Sequence, residues 1–410
     1  MKNSEEEIYK QLSNGLRFVH RYVPSPVTYL GMAINVGTRD ESEDESGMAH
    51  FIEHLLFKGT ESHKSSFIVS SLESRGGELN AYTTKEETFV YATTLKEDYE
   101  RALSLISDIV FHSVFPNNEI EKEVEVIVDE INSYKDSPSE LIYDDFETLI
   151  FKDSPLGRNI LGDESRLRQY RTEDALKFVA RNYTPDKILF FSLGGITPDK
   201  VEKLVDKYLG NIPSRESSPR VQLSFPLSAA SEHIRINKDL HQSHAMLGTR
   251  AYGYRSEKRL ALSLLNNILG GPAMSSKLNL SLREKNGLVY QVESAYTSYS
   301  DDGIFSIYFA SDKDDLDRSI SLVRKELNKL QNTPLSSISL ERAKKQLLGQ
   351  IAIGNENRES YALAMAKSYL MSGRDMTLEE IREKLDAISS KDLQDVANEI
   401  FGKLSELIYD

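Results

Sequence analysis

The chain has 410 residues, 39% of them hydrophobic and 28% charged, the composition of a globular protein with a sizeable core and room for more than one domain. It contains no cysteine, which excludes disulfides, thiolate metal sites and a cysteine nucleophile and fits a cytoplasmic protein. A formal net charge of −14 repels phosphate backbones, and no apolar run reaches the length of a membrane span, so neither nucleic acid nor membrane is an expected partner.

Residues 1–7 are acidic and polar and lack the apolar core of a secretion signal. Strands are predicted over 16–23 and 28–36, joined through Pro24-Ser25-Pro26. Residues 41–45 read as a solvated acidic loop. Residues 48–57 are apolar on nearly all sides, as a buried helix is, and Gly59 is a suitable stop for it. Strands follow over 78–84, entered by a Gly76-Gly77 turn, and 88–94. Apolar residues at helical spacing occupy 99–112, and a second helix runs to Tyr134 with Asn118 and Glu121 as its capping box. Strands in a group with helices after them indicate an α+β architecture.

Pro213, Pro219 and Pro226, set among serines, mark a linker over 213–231. It separates an N-terminal domain, 1–212, from a C-terminal domain, 232–410. The halves repeat faintly, more in the order of elements than in residues. Phe57-Lys58-Gly59 closes one apolar helix and Leu269-Gly270-Gly271 another. The stretch from Phe115-Pro116 to Glu130-Ile131 resembles that from Thr333-Pro334 to Gln350-Ile351. The expected fold is therefore two homologous modules, each a mixed or antiparallel sheet with helices packed on it. In this register His50, Glu53 and His54 stand opposite Ala261, Leu264 and Leu265, and Glu130 stands opposite Gln350. The shared fold does not need the ionisable groups, so one copy carries a site and the other does not.

That site centres on the apolar helix. His50 and His54 are four apart and project from one face, with Glu53 beside them. Burying two imidazoles and a carboxylate unpartnered costs on the order of several kcal/mol, and a divalent cation removes that cost. The competing arrangement bonds both imidazoles to backbone carbonyls and pairs Glu53 with one of them. Zinc takes a third protein ligand and leaves its fourth position to water. Glu130 is the best candidate, on a helix whose Ile120, Val124, Ile127, Val128 and Ile131 form an apolar stripe. Glu123 lies two turns earlier on nearly the same line, so one of the pair can bind metal while the other supports it. Glu123 also belongs to the series Glu119, Glu121, Glu123 and Glu125, and such runs are usually solvated. The other histidines, His20, His63, His112, His233, His241 and His244, receive no role.

His50-Phe51-Ile52-Glu53-His54 resembles the inverted zinc motif of the pitrilysin/insulinase superfamily of metallopeptidases. Similar signatures run along the chain: Gly47-Met48-Ala49-His50 to Lys58-Gly59-Thr60, Gly76-Gly77-Glu78-Leu79-Asn80-Ala81-Tyr82-Thr83, Leu161-Gly162, Asn182-Tyr183 with Pro185, and Arg283 to Tyr290. The length resembles the short branch that includes bacterial processing proteases and the mitochondrial processing peptidase β subunit. The resemblance implies one Zn²⁺ per chain held by His50, His54 and Glu130, with Glu123 supporting the site. It implies Glu53 as the general base toward a metal-activated water. Asn80 and Ala81 match the strand to which an extended substrate adds, and Arg283 and Tyr290 match an Arg/Tyr pair that reaches the substrate. The implied function is a zinc-dependent endopeptidase of extended peptides or presequence-like segments. In the family two such chains close into a chamber, so a homodimer is expected. The alternative is a non-enzymatic binding or assembly subunit on the same fold; relatives of that kind have usually lost the zinc motif, which this chain keeps.

Overall fold

A computed structural model describes residues 7–215, 217, 220, 222 and 231–410. Pro219 and Pro226 of the linker, and residues 1–6 of the acidic N-terminus, lie outside the described residues.

The first half runs β1 (Glu7–Gln11), β2 (Arg17–Tyr22), β3 (Val27–Ile34), α1 (Met48–Leu56), α2 (Ser65–Glu73), β4 (Glu78–Thr83), β5 (Thr88–Leu95), α3 (Tyr99–Phe111), α4 (Asn117–Lys135), α5 (Pro138–Ile150), α6 (Glu164–Leu167), α7 (Thr172–Asn182), β6 (Ile188–Gly194) and α8 (Pro198–Leu209). The second runs β7 (His233–Ile236), β8 (Gln242–Ala251), α9 (Arg259–Gly270), a π-helical segment (Asn279–Glu284), β9 (Val289–Ser298), β10 (Gly303–Asp312), α10 (Leu316–Asn332), α11 (Ser337–Gly354), α12 (Arg358–Ser372), α13 (Leu378–Ala387), α14 (Ser390–Ile400) and β11 (Ser405–Tyr409). The strands and helices expected between residues 16 and 134 are all present. One detail differs. Asn118 is not the cap of α4 but sits inside its first turn, with its amide on the Glu119 carboxylate. The helix begins at the preceding turn, because Phe115 takes a left-handed φ of 49° and the Pro116 carbonyl accepts the N–H groups of Glu119 and Ile120.

The strand orders carry the duplication. One sheet is ordered β1-β2-β6-β3-β5-β4 and the other β7-β11-β8-β10-β9. Without β1 they match position for position. β2 pairs with β6 in parallel as β7 does with β11, and the remaining pairs are antiparallel. In each, a helix follows the strand that accepts the sheet's middle pairings (α1 after β3, α9 after β8), and a hairpin then forms the outer edge.

By contacts the chain divides into two units, each drawn from both halves. One comprises residues 1–132, 158–220 and 354–375; the other comprises 133–157, 221–353 and 376–410. Helix α12 therefore packs on the first sheet. Its Ala362, Met365, Ala366, Tyr369 and Leu370 join Val19, Ala33, Phe89, Leu189, Phe191 and Leu193. β6 is buried at every position, as a strand covered on both faces must be. Helix α5 packs on the second sheet, where Ile142 and Phe146 join Met246, Ile304, Tyr308 and Leu407.

Candidate metal centre

Helix α1 is anchored at its N-terminus by two devices. Gly47 takes a left-handed φ of 82° just before the helix and lies against Gly162, itself at φ 78°. A Cβ on Gly162 would fall 2.4 Å from the Gly47 Cα, so two glycines far apart in sequence are required at one contact. The second device corrects the expected solvated loop at 41–45 at its two ends, Ser42, Glu43 and Asp44 being exposed as expected. Glu41 is only 5% exposed, and its carboxyl oxygens accept the N–H groups of Gly47 at 3.1 Å and Ala49 at 2.9 Å. These are among the first N–H groups of the helix, which have no partner within it. Glu45 is bound as well, by the Arg181 guanidinium at 2.6 Å. The ends of the run cap and brace, while Ser42, Glu43 and Asp44 between them face water.

With Met48, Ala49, Phe51, Ile52, Leu55 and Leu56 buried, α1 presents His50 and His54 together, their ring centroids 4.7 Å apart. Helix α4 supplies the acidic side. Its stripe of Ile120, Val124, Ile127, Val128 and Ile131 is buried, which turns Glu123 and Glu130 toward α1. Oε2 of Glu130 lies 3.9 Å from His50 Nε2 and 3.8 Å from His54 Nε2. One ligand atom from each of His50, His54 and Glu130 falls within 4.8 Å of the others. Glu123 takes a different place. It is 6% exposed, its Oε2 is 3.2 Å from His54 Nδ1, and Lys58 Nζ approaches its Oε1 at 2.7 Å. The sequence left open which glutamate faces the histidines' outer nitrogens; the structure gives that place to Glu130 and puts Glu123 behind His54.

The electrostatics suit cation binding. Burial, with His54 beside it, pushes His50 down to about 3, so the ring is neutral and its lone pair free at neutral pH. Burial pushes the Glu53 carboxyl up, Glu130 adds to this, and hydrogen bonding by Thr83 opposes it. Oε2 of Glu53 is buried with no hydrogen-bond partner among the described residues. Burial also acts to raise Glu123, but the bonds from His54 and Lys58 outweigh it and hold that carboxyl below its usual range. The donor set, two imidazoles and a carboxylate, is a common zinc set. Zinc bonds of about 2.0–2.2 Å place tetrahedral donors roughly 3.3–3.6 Å apart, so the 3.8–3.9 Å separations close on an ion by small side-chain rotations. The residues present fit the metal.

The proposed substrate residues sit as follows. Asn80 and Ala81 lie on β4, the outer edge of the first sheet, with α1 packed against that strand. Asn80 is exposed and pairs across β5 with Tyr91; Ala81 is half-buried opposite Val90. Arg283 and Tyr290 belong to the other unit. Arg283 is the next-to-last residue of the π-helical segment, with its Nε 3.9 Å from Glu284, and Tyr290 is 87% exposed at the second position of β9. Three residues that sequence reasoning missed serve the centre: Glu41 at the helix start, Lys58 on Glu123, and Thr83 on Glu53. For Glu41 and Lys58 the signal was only their spacing from α1, which also suits exposed charges.

Residues 17–164 match the family described as insulinase, peptidase family M16, and residues 171–347 match the peptidase M16 inactive domain. A protein of Rickettsia felis described as an uncharacterized zinc protease is 32% identical over 396 residues, covering 96% of this chain and 95% of its own. YmxG of Bacillus subtilis, described in the same way, is 31% identical, covering 95% and 94%. The mitochondrial-processing peptidase subunit beta of Saccharomyces cerevisiae is 28% identical, covering 93% and 86%. The crystal structure of a protease from Helicobacter pylori superposes with a TM-score of 0.91 at 22% identity, covering 99% of this chain and 100% of that one, and so shares the fold.

Proposed function

The chain belongs to the insulinase family of peptidases, peptidase family M16, and from that premise we propose that it is a zinc-dependent endopeptidase of extended peptide segments. The observation that carries this reading is the convergence of His50, His54 and Glu130 beside the buried, unpartnered oxygen of Glu53. These three residues would hold one zinc ion per chain. When bound, such an ion acidifies water and polarises a carbonyl.

The chain's own groups divide the remaining work. Glu53 takes the proton of the attacking water and delivers it to the leaving amine. Burial favours that role, since a carboxyl raised toward neutrality both accepts and returns a proton readily. Glu123 accepts from His54 Nδ1 and so fixes the tautomer that offers Nε2 to the metal. The outer edge of β4 binds the substrate through main-chain hydrogen bonds near Asn80 and Ala81, which favours extended chains over any one sequence. Arg283 and Tyr290 bind the substrate carbonyl side by charge and hydroxyl. The name of the yeast relative, a mitochondrial-processing peptidase subunit, supports a processing role, and presequence-like segments among the substrates are what the resemblance of the motifs implies. We further infer a homodimer and a cytoplasmic location, the latter supported by the absence of cysteine.

The test is incubation of metal-analysed protein with a diverse peptide mixture, with and without chelator, read by mass spectrometry. Chelator-sensitive cleavage is expected. Glu53→Gln should retain zinc and lose cleavage by ~10²-fold or more, the usual worth of a general base. Full cleavage by a zinc-loaded Glu53→Gln protein would refute the assignment. A second reading, a binding subunit without activity, draws on the description of the second matched family region as an inactive domain; zinc at one per chain with no cleavage of any peptide would favour it.

A further inference from the structure

We propose that Tyr183 is a positioning residue for Glu53: its phenol hydroxyl donates to the buried Oε2 of that carboxylate and fixes its orientation. Buried polar atoms without a hydrogen-bond partner among the described residues gather on α1 and at the end of α7. They are Nδ1 of His50 and Oε2 of Glu53 on α1, then Nδ2 of Asn182, Oη of Tyr183 and Oγ1 of Thr184. Helix α1 packs on both β4 and α7, and all these residues belong to one unit.

Tyr183 needs an acceptor. It is 4% exposed, and a hydroxyl buried without a hydrogen bond is costly. A phenylalanine would fill the same space without that cost, as the fully buried Phe178 does on α7. Burial raises the phenol well above its usual range; the Thr88 hydroxyl opposes this and the Glu53 charge adds to it, so the phenol keeps its proton as a donor. Two acceptors therefore act on it. Thr88 is fully buried, and its Oγ1 donates to the Val36 carbonyl at 2.9 Å, which leaves it only lone pairs to offer. The other acceptor is the Glu53 carboxylate. A charged acceptor forms the stronger hydrogen bond, which favours Glu53.

Glu53 in turn needs a donor at one oxygen. Thr83 acts on its carboxyl through both side chain and main chain, yet Oε2 stays without a partner. Thr83 and Thr88 face each other across β4 and β5, their hydroxyl oxygens 3.4 Å apart. Since the Thr88 proton is held by Val36, the protons of Thr83 and Tyr183 are the ones left to hold the carboxylate. Each carboxylate oxygen has two lone pairs, so Glu53 bonded in this way still accepts a proton from water. A base held by fixed hydroxyls is oriented before the reaction starts. The role of Glu53 as general base rests on the peptidase reading; the bond between the two side chains does not.

The test has two arms. In a crystal structure of the full-length zinc-loaded protein, Tyr183 Oη should lie about 2.5–3.0 Å from Glu53 Oε2, or both should bond one water. The second arm is Tyr183→Phe, which removes one oxygen and keeps the ring. Zinc content and near-UV circular dichroism report that the variant is folded. With a peptide that the unsubstituted protein cleaves, kcat should fall by roughly tenfold, the loss of one buried hydrogen bond to a charged group, and KM should stay within about twofold. On a Glu53→Gln background the same change should lower kcat by less than about twofold, because the carboxylate it orients is gone. A tyrosine that only packs would cost the same on both backgrounds. A Tyr183 hydroxyl bonded to Thr88 alone in the crystal, an unchanged kcat in Tyr183→Phe, or equal losses on the two backgrounds would overturn the proposal. A zinc-loaded protein that cleaves no peptide would overturn only the peptidase reading, and the crystallographic contact would still decide this one.

Discussion

Glu123 and Glu130 show how much a single residue's surroundings decide. Both are glutamates on one helix, two turns apart, yet one faces the outer nitrogens of both histidines and the other holds His54 from behind. The difference predicts different phenotypes. Glu130→Gln replaces a charged ligand by a neutral one and should abolish stoichiometric zinc. Glu123→Gln leaves three ligands in place and should weaken zinc by about 10–100-fold, the usual cost of losing a ligand's outer partner. Competition with a chelator of known affinity measures both. Equal losses in the two variants would contradict the division of roles. Glu53, by contrast, should not affect zinc binding, because its carboxyl is kept for the proton.

Among the elements, α1 determines whether the centre exists at all. Its apolar residues bury it, but its position along its own axis depends on what grips its first turn. Glu41 does so through Gly47 and Ala49. Burial raises the Glu41 carboxyl to about 8 from an unfolded value of 4.5, against the pull of the two N–H groups and Arg158. The folded chain therefore binds the extra proton between those two values. The resulting stability is full below pH 4.5 and is lost as pH rises through about 8. The melting temperature of metal-free protein should fall across that window more steeply than that of Glu41→Gln, which cannot ionise. Parallel pH profiles for the two proteins would count against a buried, protonated Glu41.

For the whole molecule, the exchange of α5 and α12 has a direct consequence. A chain ending at Ile353 lacks α12 together with α13, α14 and the inner strand β11, and the first sheet then exposes the face formed by Val19, Ala33, Phe89, Leu189, Phe191 and Leu193. Exposed apolar area of that kind drives association. Such a truncated protein should bind a hydrophobic dye, aggregate on concentration and lose zinc, although every metal ligand is retained. In the other unit, Phe146→Ala should cost ~3–5 kcal/mol in urea unfolding, as large-to-small changes in a packed core do. A monodisperse, zinc-loaded truncation would show that α12 is dispensable.

The local chemistry could be read from residues alone because it is written in short spacings. His50, Glu53 and His54 share a helical face by virtue of their intervals, and alternation placed the strands to within a residue or two. The duplication was also visible, since two copies of one module must place turns and helices in the same order. What the sequence could not give depends on contacts between distant residues. Nothing in the run from 41 to 45 distinguishes a capping carboxylate from a solvated one, since that depends on where Gly47 and Ala49 point their N–H groups. Nothing in the sequence of α12, whose apolar residues are spread around the helix, states which sheet it covers, because apolar surface specifies burial but not a partner. Periodicity is a property of neighbours in the chain; capping and helix exchange arise only once the chain has closed on itself.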